Sequence, residues 1–323
     1  MFDKLGRTVL AIVVLWLSTL PSQAFDYPTK VVRIIVPYAP GGSAGAQARA
    51  LAEELSKIWK QQVIVEDKPG AGTTIGAAFV ASSPPDGYTL YLAGTSHTIT
   101  PSLYSDLKYD AIKSFSPISR LATSPFILLV NPSSLAVNSV AELLTLARSK
   151  PGKLNYATSG VGAGPHLSAE MMIAATKIDV QHVPFRGSAP ALTALLGGVT
   201  EMGFGDVSAL PSIKAGLVKP LAVTTVQRFS QLPDVPTFDE TIGKGLEVTN
   251  WSAILAPANT PAEIVTFINQ SIVTALQSPS VKKAYEAQGF DPAPSAPEDL
   301  AAFMMQEVTK YRTIINHSGI KMQ

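Results

Sequence analysis

The run VVRIIVPYAPGGSAG, residues 31–45, sets the fold. Val31–Val36 is a short apolar run rich in β-branched residues, which reads as a strand buried on both faces. Pro37 ends it, and Pro40-Gly41-Gly42 forms a tight turn. From Ala46 to Lys60 apolar residues return at Leu51, Leu55, Ile58 and Trp59, the spacing of one helix face. Strand, glycine-rich loop and helix in that order make the first unit of an open α/β sheet.

The unit recurs along the chain. Val63–Val65 and Thr89–Leu92 read as strands, with a small-residue helix over Ile75–Ala81 and a turn at Pro84-Pro85-Asp86-Gly87. After Ser124-Pro125 the rhythm restarts. Strands are expected at Phe126–Val130, Leu154–Ala157, Val180–Val183, Met202–Phe204 and Pro220–Thr224. Helices are expected over Val140–Ala147, after Pro165 and over Ala189–Leu196. Val248–Leu255 is a further strand. Pro261–Gln277, Pro279–Gln288 and Pro297–Asn316 are helices with proline near the start, expected to pack back on the first half. A chain of about 300 residues exceeds what one core serves. The expectation is two α/β lobes, each a mostly parallel sheet flanked by helices, with a ligand cleft between them. Residues 25–124 and 225–323 form one lobe and 125–224 the other.

The N-terminus reads as an export signal. Lys4 and Arg7 precede an apolar run from Val9 to Leu20, and Ser22-Gln23-Ala24 supplies small residues for cleavage before Phe25. That run is too short for a spanning helix, which needs about 20 apolar residues. Residues 1–24 carry Lys4, Arg7 and Asp3 of the chain's 25 basic and 24 acidic residues, which leaves 23 of each in the mature chain. Such a balance gives no footprint for nucleic acid. The chain has no cysteine, so disulfides, thiol nucleophiles and a lipid-anchored cysteine are excluded. An exported chain of this kind fits a Gram-negative periplasm.

Four small-residue loops follow strands and open helices: 40–45, 70–74, 159–164 and 186–188. A helix start presents unpaired N–H groups and a partial positive charge, which suits a carboxylate or phosphate. The same glycines also serve tight turns and close packing. No Gly-Lys-Ser/Thr follows any of them, and the glycines miss the G-x-G-x-x-G spacing, so nucleotide binding is a weak reading. The four histidines show no metal-ligand spacing, and no G-x-S-x-G elbow occurs. No catalytic residue, metal or cofactor is therefore expected. His97, after a strand, either lines a cleft or sits exposed in a loop, and His166 opens a helix. Arg186 either grips a carboxylate in bidentate fashion or pairs with Asp206 or Glu170. Asp206 is placed to accept from a ligand hydroxyl, and Tyr38 to wall the site.

These segments together resemble the periplasmic substrate-binding proteins of tripartite tricarboxylate transporters, the Bug or TctC-like family. The resemblance is carried by Ile35–Gly42, Val65–Gly72, Pro85–Leu90, Ser159–Leu167, Val183–Ala191, Leu232–Thr237 and Trp251–Pro257, in order along the mature chain. It implies a two-lobed trap that closes on a dicarboxylate or aromatic acid and docks, as a monomer, on membrane permease subunits. By the same resemblance the ligand is held by Tyr38, Ala39, Gly41, Gly42 and Ser43, and by Ser159, Gly160, Val161 and Gly162. Gly72, Thr95, Ser96, His97, His166, Arg186, Gly187, Ser188 and Asp206 complete the expected lining. One departure stands out: Gly45 occupies a position where the family commonly has Asp. The expectation from sequence is that the ligand's near end is bulkier there, or is held by Ser43 or Gln47 instead, so that Gly45→Asp weakens ligand binding. A sensing partner of a membrane signalling protein, and more remotely an exported α/β hydrolase, are the alternative readings.

Overall fold

Alternation along the first strands shows how the sheet is covered. A computed structural model describes residues 26–318, with the exception of Ala39 and Gly41; the export signal lies outside the described residues. β1 (Val32–Val36) is followed by α1 (Ser43–Trp59), β2 (Val63–Asp67), α2 (Thr74–Ala81), β3 (Thr89–Gly94), α3 (Thr95–Leu103) and β4 (Phe115–Pro125). Ile34, Leu90 and Leu92 face Leu51 and Leu55 of α1, while Ile35, Tyr91 and Ala93 face the opposite way onto Ala77 and Val80 of α2. The period of two places both sets in cores, so β3 has no exposed residue. Burying each such large side chain contributes roughly 1.5–3 kcal/mol.

Only Phe126 separates β4 from β5 (Ile127–Val130), which lies in a second sheet. That sheet is built with α4 (Val140–Ser149), β6 (Asn155–Thr158), α5 (Gly164–Thr176), β7 (Gln181–Pro184), α6 (Ser188–Leu196), β8 (Met202–Gly205), α7 (Leu210–Lys214) and β9 (Lys219–Val223). The chain then forms α8 (Phe238–Thr241), which packs Phe238 into the second core, and rejoins the first sheet at β10 (Thr249–Pro257). It ends in α9 (Ala262–Gln277), α10 (Pro279–Ala287), β11 (Asp291–Pro292) and α11 (Pro297–Ser318).

The strand order is β11-β4-β10-β3-β1-β2 in the first sheet and β7-β6-β8-β5-β9 in the second. Both sheets are mixed. β1 runs parallel to β2 and β3, and β6 to β7 and β8. β10 is antiparallel to both its main neighbours, and so is β5. β5 and β10 are the strands reached by crossing between sheets, and β11 is antiparallel to β4, whereas β1, β2 and β3, and β6, β7 and β8, are linked by strand–helix–strand crossovers and run parallel.

The crossings are stitched together. Thr224 N–H donates to the Phe126 carbonyl at 3.0 Å, its hydroxyl donates to the Val248 carbonyl at 2.6 Å, and Phe126 N–H donates to that hydroxyl at 2.9 Å. Around them Ile99, Phe126, Leu167, Met171, Val248, Tyr311 and Ile315 form one buried cluster. α9 and α10 pack on α1, as expected for the C-terminal helices. α11 goes further: Leu300 and Met304 fill the first lobe, while Tyr311 and Ile315 reach the junction with α5 of the second.

Candidate functional site

Four helices start at one cavity between the sheets. Its volume is about 370 Å³, and its wall includes Gly42-Ser43, Gly94-Thr95, Ala163-Gly164 and Ser188, the starts of α1, α3, α5 and α6. None of the four has a side-chain N-cap. Of the helices that start elsewhere, α4, α8 and α10 are capped by Ser139, Thr237 and Ser278, whereas α2, α7 and α9 have no side-chain cap. The uncapped starts of α1, α3, α5 and α6 direct unpaired N–H groups and the positive ends of helix dipoles at the cavity. Its size suits a small molecule.

Side chains complete the wall. Burial pushes the Tyr38 phenol up, with hydrogen bonding to Ser96 partly offsetting it. Thr95 ties the start of α3 to β10, accepting Trp251 N–H at 3.0 Å and donating to the Thr249 carbonyl at 3.2 Å. Gln47, on α1 and buried, accepts the Ser252 hydroxyl proton at 2.7 Å. Asp206 Oδ2 accepts from the Ser188 hydroxyl at 2.5 Å, and Oδ1 accepts Ser208 N–H at 2.9 Å. Among the described residues no lysine or arginine lines this cavity, and Asp206 is its one charged side chain. A wider space of about 850 Å³ shares Gly42, Ser43, Ser188, Asp206, Asn250 and Phe290 with it and adds Lys214 and Glu286.

Of the residues singled out in the sequence, Tyr38, Gly42, Ser43, Thr95, Ser96, Ser159, Ser188 and Asp206 lie together on this wall. Ala39 and Gly41 are outside the described residues. Gly72, His97, Gly160, Val161, Gly162, His166, Arg186 and Gly187 are not on the wall. Gly72 packs against the Tyr104 hydroxyl, and its loop starts no helix at the cavity; the Gly94-Thr95 turn does so instead. Arg186 is exposed and pairs with neither Asp206 nor Glu170, whose carboxylates are taken by Ser188 and by Tyr156. Gly162 and Gly164 serve close packing. A Cβ on Gly162 would come within 2.7 Å of Leu103 Cδ1, and one on Gly164 within 2.2 Å of the Phe126 ring.

His97 and His166 are buried, neither lining the cleft nor exposed, while His182 is half-buried and His317 is exposed. His97 is fully enclosed by Tyr91, Tyr109 and Phe115, with Nε2 at 2.8 Å from the Ala111 carbonyl, and burial lowers its pKa to about 4. His166 stacks on His182 at 3.9 Å, and His182 on Tyr156 at 4.9 Å. His182 is lowered to about 4 by burial and by the neighbouring His166. Burial opposes ionisation of Glu170, but hydrogen bonds with His166 and Tyr156 outweigh it and hold the carboxyl below the usual range.

Gln47, which the sequence offers beside Ser43 as an alternative hold for the ligand where Gly45 replaces an acid, is on the wall, and it is a polar residue in register with Leu51 and Leu55 on the apolar face of α1. The sequence reading missed Phe126, Asn250, Ser252 and Phe290 as wall residues. These four reach the wall from β10, the crossing and the turn before β11, where no local pattern marks them.

Comparison with known proteins agrees with this architecture. The family described as "Tripartite tricarboxylate transporter family receptor" matches residues 47–320. BugT of Bordetella pertussis is 31% identical over 322 residues, covering 98% of each chain. Rpa4515 of R. palustris, solved with adipate, is 33% identical with a TM-score of 0.78 over 92% of this chain and 99% of its own. MatC of Rhodopseudomonas palustris, solved with bound malate, is 30% identical with a TM-score of 0.74 over 90% of this chain and 100% of its own. Fold, sequence match and the full-length overlap with these relatives agree: the chain belongs to the tripartite tricarboxylate transporter receptor family.

Proposed function

We propose that this chain is a periplasmic receptor that captures a small carboxylate between its two lobes and delivers it, unaltered, to the membrane subunits of a tripartite transporter. The observation that carries this reading is the convergence of four uncapped helix starts on one cavity with no basic side chain in its described wall. Backbone N–H groups and helix dipoles stabilise an anion without a counter-charge, so the bound anion can leave again when the lobes part. The adipate and malate held by the two R. palustris relatives are carboxylates of suitable size. Residues 1–24 act as the export signal. The lobes are residues 25–124 with 225–323, and 125–224. They move about the crossings at Phe126, Thr224 and Val248, whose mutual hydrogen bonds keep the connection ordered.

The test is a thermal-shift screen of the mature chain against mono-, di- and tricarboxylates, aromatic acids included. A ligand at 100 times its Kd stabilises the folded state by about 2.7 kcal/mol, so binding raises Tm. A rise with one class of acid supports the proposal. A flat response across the whole panel, with folded ligand-free protein, overturns it.

A further inference from the structure

Asp206 gives the cavity a direction. Its Oδ2 accepts the Ser188 hydroxyl proton at 2.5 Å and its Oδ1 accepts Ser208 N–H at 2.9 Å. A serine hydroxyl has one proton to donate. Ser188 gives it to Asp206, so both side chains have only lone pairs left to offer at this part of the wall. The carboxylate also lies beside the start of α6, where its charge offsets the positive end of that helix. Of the four helix starts, this one is therefore the least suited to a second anion.

The first-lobe wall has the opposite character. Gln47 is 1% exposed, and its Oε1 is occupied by the Ser252 hydroxyl at 2.7 Å, which leaves the Nε2 protons as its remaining function. The starts of α1 and α3 add uncapped backbone N–H groups. The second lobe keeps a donor at the uncapped start of α5, but Asp206 and Ser188 present acceptors opposite the first-lobe helix starts, and this contrast favours a ligand with two unlike ends.

We infer that the ligand is an asymmetric acid: its carboxylate meets the first-lobe helix starts, and a hydroxyl or amino group at its far end donates to Asp206 and Ser188. This rests on the carboxylate reading above and narrows it. A symmetrical dicarboxylate would instead place a second anion against Asp206 in a cavity with no lining cation to separate them. A donor end satisfies the carboxylate, and a site built to pair with such a group rejects analogues that lack it.

The test is isothermal titration of the mature chain with straight acids of four and of six carbons. At each length the far carbon is a methyl, a hydroxymethyl, an aminomethyl or a second carboxylate, so the six-carbon set includes adipate. The expected result is that a hydroxy or amino acid binds at least about tenfold tighter than both the plain acid and the dicarboxylate of its length. Asp206→Asn keeps the size of the side chain and an oxygen for Ser208 N–H, and it is expected to shrink that preference by favouring the dicarboxylate. Ser188→Ala is the second variant, with the same direction expected. A dicarboxylate or plain acid binding wild type as tightly as the donor-bearing acids overturns the inference and leaves the carboxylate reading intact. Failure of every acid in both series overturns the inference as well, and the wider thermal-shift panel then decides the carboxylate reading.

Discussion

Nδ1 of His166 accepts the backbone N–H of Gly162 at 3.0 Å, reaching back from the first turn of α5 to the loop that precedes it. The other end of that loop is held through His182, whose Nε2 lies 2.6 Å from Thr158 Oγ1, which in turn contacts the backbone of Gly160. Neither histidine is on the cavity wall, yet between them they fix the loop that places Ser159 and Ala163-Gly164 there.

Replacing His166 by Ala leaves Gly162 N–H without its acceptor and removes one layer of the ring stack. The expected cost is about 1–3 kcal/mol of stability, the usual range for stranding one buried donor. Ligand affinity should fall by about tenfold as the loop loosens, a loss of about 1.4 kcal/mol. Urea denaturation and titration of the same preparation measure the two effects. Unchanged affinity with reduced stability would leave His166 a purely structural residue.

Acid should destabilise the native state through His97 and His182. Burial holds both imidazoles from the ordinary 6.5 down to about 4, so they stay neutral in the native state where unfolded histidines take up protons. The unfolded state then binds more protons between pH 6.5 and about 4. Stability is complete above that window and is lost as pH falls through it. Fully buried His97 accounts for roughly 2 kcal/mol by about pH 5, and partly exposed His182 for less. Calorimetry at neutral and acid pH should show a falling Tm. His97→Gln, less stable at neutral pH, should show a shallower fall across the window; an equal slope would remove His97 from the account.

Gly164→Ala tests the packing behind the wall. A Cβ there would lie 2.2 Å from Phe126 Cζ, and Phe126 is locked in the buried junction cluster with its backbone bonded to Thr224. Neither partner can yield cheaply, so the variant should lose about 1–3 kcal/mol, the range for overpacking. Adding Phe126→Leu makes room, and the double variant should be more stable than the two single costs summed. Simple additivity in denaturation curves would show that the residues do not press on one another.

What the sequence made legible follows from where each element gets its stability. β1, β3 and β5 are apolar runs whose own residues demand burial, and α1 and α4 carry an apolar stripe, so all five were read directly. β4 and α3 were not. FSPISRLATSP holds two prolines and an arginine, and forms a strand because β10 and β11 pair with it on either side. TSHTITPSL has three threonines and an internal proline, poor helix material, and is held by packing against α11 and β10. The second of these omissions explains why the sequence points to the loop at 70–74 and not to the turn before α3. Without α3 the Gly94 turn had no helix to open, and Gly70–Thr74 stood in its place. His97 was misjudged for the same reason, since only the helix turns its ring into the core.

Gly45 carries the last prediction. From sequence alone, restoring an acid at this position was expected to weaken binding. Gly45 is buried on α1 but is not on the cavity wall; a Cβ there would meet the Arg49 guanidinium at 3.1 Å. Arg49 is exposed and its guanidinium is the far end of a flexible chain, so it can move aside and then pair with an Asp one turn earlier. The substitution also removes a glycine from the first turn of a helix and puts an acid near its positive end, two gains that together reach about 1 kcal/mol. Gly45→Asp should therefore raise Tm by a few degrees and leave ligand affinity within about threefold, because the new charge is compensated by Arg49 before it reaches the cavity. Titration of the variant with the acid that binds wild type best decides between the two outcomes. A loss of tenfold or more would mean that the charge is felt at the start of α1 despite Arg49, and the expectation from sequence would stand.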